Sequence, residues 1–291
     1  MGNHIPEEFP EYFNIEPWYK LFQDVNEAPV SSPRGFKTKE CLSYKFELLD
    51  PLNQRWCLFG ERKLNIGYTC LEFLWYLRAD NSDISIGDHA KIWRELAAKG
   101  VLQSNYGEYI FKQGQLQRVM QELTNDPDSR RASIMILQPG HFNDQTADIP
   151  CTLGLTFQIR NMRLNMHTHM RSSDIVFGMG IDIPCFTWTQ ELLCNLLKRK
   201  FPTLKMGTYY HTSDSMHVYE RHFEMVNKVV TSDPLVLNAI HEPKISGSRE
   251  AEFIINNADI LSYERDKIPP GYHWALWLND QAQSEIERKQ K

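Results

Sequence analysis

The ten residues YTCLEFLWYL, 68 to 77, constrain the fold more than any other stretch of this chain. They are apolar round too much of a helical circumference to lie on a surface, so a helix here must be buried on most sides. The chain has 291 residues, 42% hydrophobic and 24% charged, an ordinary globular composition that could form one large α/β domain or two small ones. The pattern favours one. DHAKIWRELAAKG (88–100) reads as a helix starting at Asp88 and stopping at Gly100, and QLQRVMQELTNDP (115–127) as an amphipathic helix that ends before Pro127. ASIMIL (132–137) reads as a buried strand. In CTLGLTFQI (151–159), Leu153, Leu155, Phe157 and Ile159 alternate onto one strand face. FTWTQELLCNLLKRKFP (186–202) is a helix closed by Pro202, SSPRGFKT (31–38) is a loop, and QAQSEIERKQK (281–291) reads as a solvated tail. Strands and helices mix without regular βαβ alternation, which predicts a single α/β (α+β) domain with a mixed or antiparallel sheet flanked by helices.

A net charge of −5 and a pI near 6.1 argue against a basic nucleic-acid coat, so no nucleic acid polymer is expected as a partner. No apolar run approaches membrane-spanning length. MGNHIPEEFPEYF has acids and prolines where a signal peptide needs an apolar core, and Pro6 stands where myristoylation needs Ser or Thr. The six cysteines show no C-x-x-C pair and no zinc-type spacing, so no metal is expected and the thiols read as reduced, as in the cytoplasm.

Three stretches set arginines beside Gly, Pro or Ser: SPRG with Arg34, DPDSRR with Arg130 and Arg131, and MRSSD with Arg171. Arginine's planar fork suits phosphate, although each alone reads more readily as a surface ion-pair residue. Cys151 follows a proline at a strand start. It reads either as a core thiol, since it shares parity with the apolar face, or as a nucleophile whose thiolate nearby arginines stabilise. In RSSDIVFGMGIDIPCF (171–186), Asp182 stands between isoleucines, where an ionised carboxylate must pair, neutralise or bind something. It precedes an apolar helical run, so a helix N-cap is the simple alternative, with Pro184 in the first turn.

CLEFLWYLRAD, SNYG, DPDSRR, PCTLGLTF, MRSSDIVFGMGIDI and SDSMHVYERH, in this order over roughly residues 30 to 226, resemble the thymidylate synthase family. The resemblance implies one catalytic domain over 1–291, with an N-terminal extension at about 1–29 and a divergent C-terminal segment at about 230–291. It implies that Cys151 adds to C6 of a pyrimidine nucleoside monophosphate. Arg34, Arg130, Arg131, Arg171 and Ser172 would hold the 5′-phosphate, and His217 and Tyr219 the sugar hydroxyl. Glu72 and Tyr106 would order water and move protons, while Trp93 and Asp174, with Glu72, would face the folate. It also implies a homodimer in which Arg130 and Arg131 reach across the interface.

Several residues depart from the synthase pattern: Asp182 in place of Asn, Cys151-Thr152 in place of Cys-His, and Met170 in place of Gln. NDQAQSEIERKQK shows no counterpart of the tail that closes over folate. These departures look like the phage-type deoxycytidylate hydroxymethylases, a branch of the same family; a phage-encoded chain would act in the host cytoplasm. Chemistry points the same way. Cytosine presents an N3 acceptor beside an N4 donor, so a carboxylate can accept from N4 and share a proton with N3, whereas it would repel uracil's O4. The expected reaction converts dCMP, 5,10-methylenetetrahydrofolate and water into 5-hydroxymethyl-dCMP and tetrahydrofolate. Open alternatives are a dUMP hydroxymethylase or thymidylate synthase, a CMP hydroxymethylase, and a non-catalytic nucleotide- or RNA-binding relative.

Overall fold

The computed structural model describes residues 15–97, 100–142, 147–232, 237 and 240–290. The first fourteen residues, with the readings made on them, lie outside the described residues. The chain opens with α1 (Glu16–Glu27), β1 (Val30–Ser31), β2 (Thr38–Leu48), α2 (Pro51–Gln54), α3 (Ile66–Arg78), α4 (Lys91–Leu96) and α5 (Gln115–Asn125). Then come β3 (Ser133–Met135), β4 (Thr152–Arg160), β5 (Arg163–Met170), β6 (Ser173–Asp174), α6 (Gly178–Leu197) and β7 (Lys205–Tyr219). It closes with α7 (Phe223–Thr231), α8 (Ser248–Asn256), α9 (Ala258–Tyr263) and α10 (His273–Gln290).

The strands form one mixed sheet in the order β1-β2-β7-β5-β4-β3, with β6 beside β7. Only the β5–β7 and β6–β7 pairs are parallel. This is the single-domain α/β architecture the pattern predicts. One sheet face is covered by α5 and α6, and α3 packs on α6, so the apolar helix at 68–77 is enclosed as its composition demands. α1 lies over β2 through Trp18, Leu21, Phe22 and Val25, placing residues 16–27 of the expected N-terminal extension against the core. The other sheet face carries small polar side chains and histidines. His167 Nε2 meets Thr212 Oγ1 at 2.8 Å and His169 pairs with Asp214 at 2.8 Å, beside exposed Tyr210 and Met135.

Five local readings change. The helix read from Phe186 begins at Gly178 and carries Pro184 inside, because apolar neighbours on every side hold it together despite the missing N–H. The helix read from Asp88 starts at Lys91, after a 3₁₀ turn at Ser85–Asp88. β3 is a short edge strand with Met135 55% exposed, not a strand buried on both faces. At the start of β4 a register shift between Thr152 and Gly154 breaks the alternation, so Thr152 is buried while Leu155, Phe157 and Ile159 keep the apolar face. The tail read as solvated is most of α10, which buries Trp274, Leu278, Ala282 and Glu285 at helical spacing against α3. Glu242 fastens this C-terminal part: it accepts from Trp56 (2.8 Å), Trp188 (2.6 Å) and Trp274 (3.2 Å) and pairs with buried Arg55 at 3.0 Å.

Candidate active site

The irregular start of β4 sets Cys151 at its mouth, half-buried; bulges of this kind re-aim side chains where a regular ladder could not. Arg171 clamps that corner. Its backbone N–H donates to the Cys151 carbonyl at 2.8 Å, and its guanidinium donates to Pro150 O (3.1 Å) and Ile149 O (2.8 Å). Burial raises the thiol's pKa, Arg171 and Arg34 lower it, and Asp182 and Asp148 raise it. The arginines therefore act in the expected direction, but burial outweighs them in the free chain. Arg34 sits in the turn Pro33–Gly35 with φ +53°, a conformation costly for any residue but glycine.

Asp182 is the fifth residue of α6, so the N-cap alternative fails; Phe177 occupies the cap. Its side chain is 9% exposed, and no donor among the described residues reaches its carboxylate. Burial pushes its pKa well above the usual carboxylate range, and the charges of Glu72 and Asp174 push the same way. The setting thus favours the neutral form of Asp182, which carries one O–H donor and one carbonyl acceptor. Gly178 leaves the space beside it open: a Cβ there would lie 3.5 Å from Asp182 Oδ2.

Glu72 lies on the buried side of α3 in a different setting. Tyr68 and Tyr76, one turn before and after it, donate to its two oxygens at 2.7 and 2.8 Å. Burial raises its pKa overall, and hydrogen bonds from Tyr68, Tyr76 and Trp93 offset part of that rise. Trp93 Nε1 also donates to the Tyr68 hydroxyl at 2.8 Å. Tyr106 stacks between Tyr76 (5.4 Å) and Phe186 (5.9 Å); burial, then Asp182 and Cys151, raise its phenol well above the ordinary range. This stack needs Gly107, because a Cβ there would fall 1.6 Å from the Tyr76 carbonyl oxygen.

β6 pairs Asp174 with His217 of β7, just beyond half-buried Ser172. Tyr219 lies 5.0 Å from the His217 ring. Burial raises its phenol, as do the charges of Asp174 and Cys151, against Arg34 and Arg221. Thus Cys151, Arg171, Arg34, Asp182, Glu72, Tyr106, Asp174 and Tyr219 act on one another within a single chain. Arg130 and Arg131 do not join them. Both are exposed; Arg131 Nε turns back to Glu122 at 3.0 Å, and neither is among the charges acting on Cys151.

Sequence reasoning missed three participants. Tyr68 and Tyr76 were legible as the i−4 and i+4 neighbours of Glu72 on a helix. Arg62 donates Nε to Val176 O at 2.6 Å beside Asp174, has Nη1 buried without a partner among the described residues, and needs Gly180, whose Cβ would fall 1.5 Å from its Nη2. That contact joins segments far apart in sequence and had no local signal.

Cys151, at a clamped strand start of a mixed α/β sheet, thus stands within the charge influence of two arginines and two buried carboxyls. The family model for thymidylate synthase matches residues 20–268, and the chain belongs to the thymidylate synthase family. Among its relatives, the deoxycytidylate 5-hydroxymethyltransferase of Enterobacteria phage T6 is 32% identical over 210 residues, 68% of this chain and 82% of that protein. The T4 enzyme of that name is 31% identical over 216 residues, with the same coverage. The deoxyuridylate hydroxymethyltransferase of Bacillus phage SP01 is 30% identical over 213 residues; that match takes in 67% of this chain and about half, 54%, of the relative.

Proposed function

We propose that this chain is a deoxycytidylate 5-hydroxymethyltransferase: it transfers a one-carbon unit from 5,10-methylenetetrahydrofolate to C5 of dCMP and adds water. The observation that carries the reading is Asp182, buried near Cys151 and without a donor among the described residues, in a setting that favours its neutral form. As a carboxylic acid it donates its O–H to cytosine N3 and accepts from N4–H, matching both positions at once. Passing that proton to N3 draws electrons from the ring and makes C6 a better target for the thiolate.

Arg34, Arg171 and Ser172 hold the 5′-phosphate, and His217 and Tyr219 the sugar hydroxyl. The phosphate contributes the negative charge that the arginine-lined corner attracts. Trp93, Asp174 and Arg62 fit a folate: the buried Nη1 of Arg62, without an acceptor among the described residues, and the Asp174 carboxylate offer a donor and an acceptor near each other. When bound, 5,10-methylenetetrahydrofolate supplies a one-carbon unit at the oxidation level of formaldehyde. Cys151 forms the bond to C6 and C5 bonds to the carbon; C5 then passes its proton to water ordered by Tyr106, and the carbon–nitrogen bond to the folate breaks, so that tetrahydrofolate departs and leaves an exocyclic methylene. Glu72 takes a proton from water as the water oxygen bonds to the exocyclic methylene carbon. Cys151 then leaves, restoring the C5–C6 double bond. Tyr106, stacked beside this point, lines the water's approach.

The polar, uncovered sheet face and the distance of Arg130 and Arg131 from Cys151's charge environment support a homodimer, in which a second copy brings these arginines to the phosphate. Such an enzyme works on free nucleotides, hence in the cytoplasm. The phage SP01 relative makes dUMP the second reading. Incubation with dCMP, CMP and dUMP, each with 5,10-methylenetetrahydrofolate, separates them by product mass. Hydroxymethylation of dCMP is expected; exclusive use of dUMP or CMP refutes the assignment.

A further inference from the structure

Two carboxyls stand close enough in this site to repel each other, yet the chain surrounds them unequally. Asp182, on α6, meets no donor among the described residues, whereas Glu72, on α3, receives one phenol O–H on each oxygen. Tyr68 accepts from the Trp93 indole, a donor-only group, so its single proton is free to point only at Glu72. Tyr76 is held by stacking at 5.4 Å on Tyr106, which is itself stacked at 5.9 Å on Phe186 of α6.

We propose that Tyr68 and Tyr76 are positioning residues that keep Glu72 as the ionised member of the carboxyl pair and aim its remaining lone pairs at the incoming water, with Trp93 fixing the donor direction of Tyr68. The inference rests on the reading of Glu72 as the base for hydration. Paired carboxyls in unequal settings divide the acid and base roles between them, and here the inequality is built from two phenols. The step balances: a water O–H bond breaks, its proton goes to Glu72, and the oxygen bonds to the exocyclic methylene carbon. The displaced electron pair moves into the ring.

The groups facing Glu72 are Tyr68 and Tyr76 on its own helix, Asp182 and Cys185 from α6, and Trp93 from α4. Burial raises both Tyr68 and Tyr76 well above ordinary phenols, so they remain donors throughout the working range. Hydrogen bonds to a carboxylate favour its charged form, so losing them raises the proton affinity of Glu72. A base that must be ionised to act then fails earlier as pH falls.

The test is the pH profile of 5-hydroxymethyl-dCMP formation for wild type, Tyr68→Phe, Tyr76→Phe and the double variant, with Glu72→Gln beside them. Each single Tyr→Phe change is expected to lower kcat roughly tenfold on the acid limb and to leave the alkaline plateau within about twofold, the double change more. Tritium release from C5 should fall less than product formation, because hydration is the step that needs the ionised base. Isotope-edited infrared spectroscopy gives a readout independent of turnover: a protonated-carboxyl band, absent from Glu72→Gln, should grow at neutral pH in the double variant. An unmoved acid limb with an unchanged carboxyl band overturns the positioning role. Undiminished hydroxymethylation by Glu72→Gln instead overturns the reading on which it rests.

Discussion

Asp182→Asn separates the demands of catalysis from those of folding. In the free chain the Asp182 carboxyl is 9% exposed and receives no hydrogen bond from the described residues, and burial pushes its pKa well above the carboxylate range. A carboxyl whose folded pKa exceeds its unfolded value of about 3.9 favours the fold fully below that value. The contribution is lost as pH rises through the folded value, because the buried group must then stay protonated or carry an unpaired charge. An amide of the same shape has no charge to suppress. Asp182→Asn is therefore expected to stabilise the chain at neutral pH, because the amide stays buried and polar but no longer has an ionised form that folding must suppress. The unfolding midpoint should rise by roughly 2–4 °C for each kcal/mol gained. The gap to wild type should widen as pH is raised. Activity should change in the opposite sense. An asparagine amide can face either base but has no proton to pass to cytosine N3, so dCMP loses and dUMP gains. A mismatch of about 1–3 kcal/mol corresponds to about ten- to a hundredfold in specificity. The assay is kcat/KM on both nucleotides beside unfolding midpoints across pH. An unchanged dCMP/dUMP ratio, with a stability gap that is flat in pH, refutes both the base contact and the neutral state of Asp182.

Cys151→Ala should abolish turnover while calorimetry still detects dCMP, whereas Cys185→Ala, inside α6 with its sulfur 4.0 Å from Thr69 O, should keep the chemistry; substantial turnover by Cys151→Ala removes the nucleophile assignment. Mixing inactive Cys151→Ala and Arg131→Ala chains should restore part of the activity, since each hybrid dimer holds one intact site. Proven subunit exchange without recovery would show that each site is built from one chain. Gly107→Ala forces a Cβ to 1.6 Å from the Tyr76 carbonyl oxygen, a backbone atom with no room to yield. It should cost more than about 4 kcal/mol or prevent folding, as denaturant titration would show, and a variant of near wild-type stability would contradict the packing of this turn on α3.

The sequence by itself determined what depends on local pattern. The apolar circumference of residues 68–77 required an enclosed helix, and α3 is enclosed. The stripe of 115–125 and the alternation of 155, 157 and 159 fixed a helix and a strand face, because helices and strands impose their own periods. Ordered motifs singled out Cys151, Arg171, Glu72 and Asp182, the residues that converge in the structure. Tertiary structure decided the rest. Asp182 and Pro184 lie inside α6 because packing on all sides outweighs the local signals for a helix start and break. α10 escaped notice because six buried residues, two of them polar, spread along a polar segment carry little hydrophobic signal until α3 faces them. The protonation states of Asp182 and Glu72 were illegible for the same reason. Both are carboxyls in apolar runs, and only the fold decides that one accepts from two phenols and the other from no donor among the described residues. A carboxyl's charge follows from the donors and dielectric around it, and those come from residues distant in sequence.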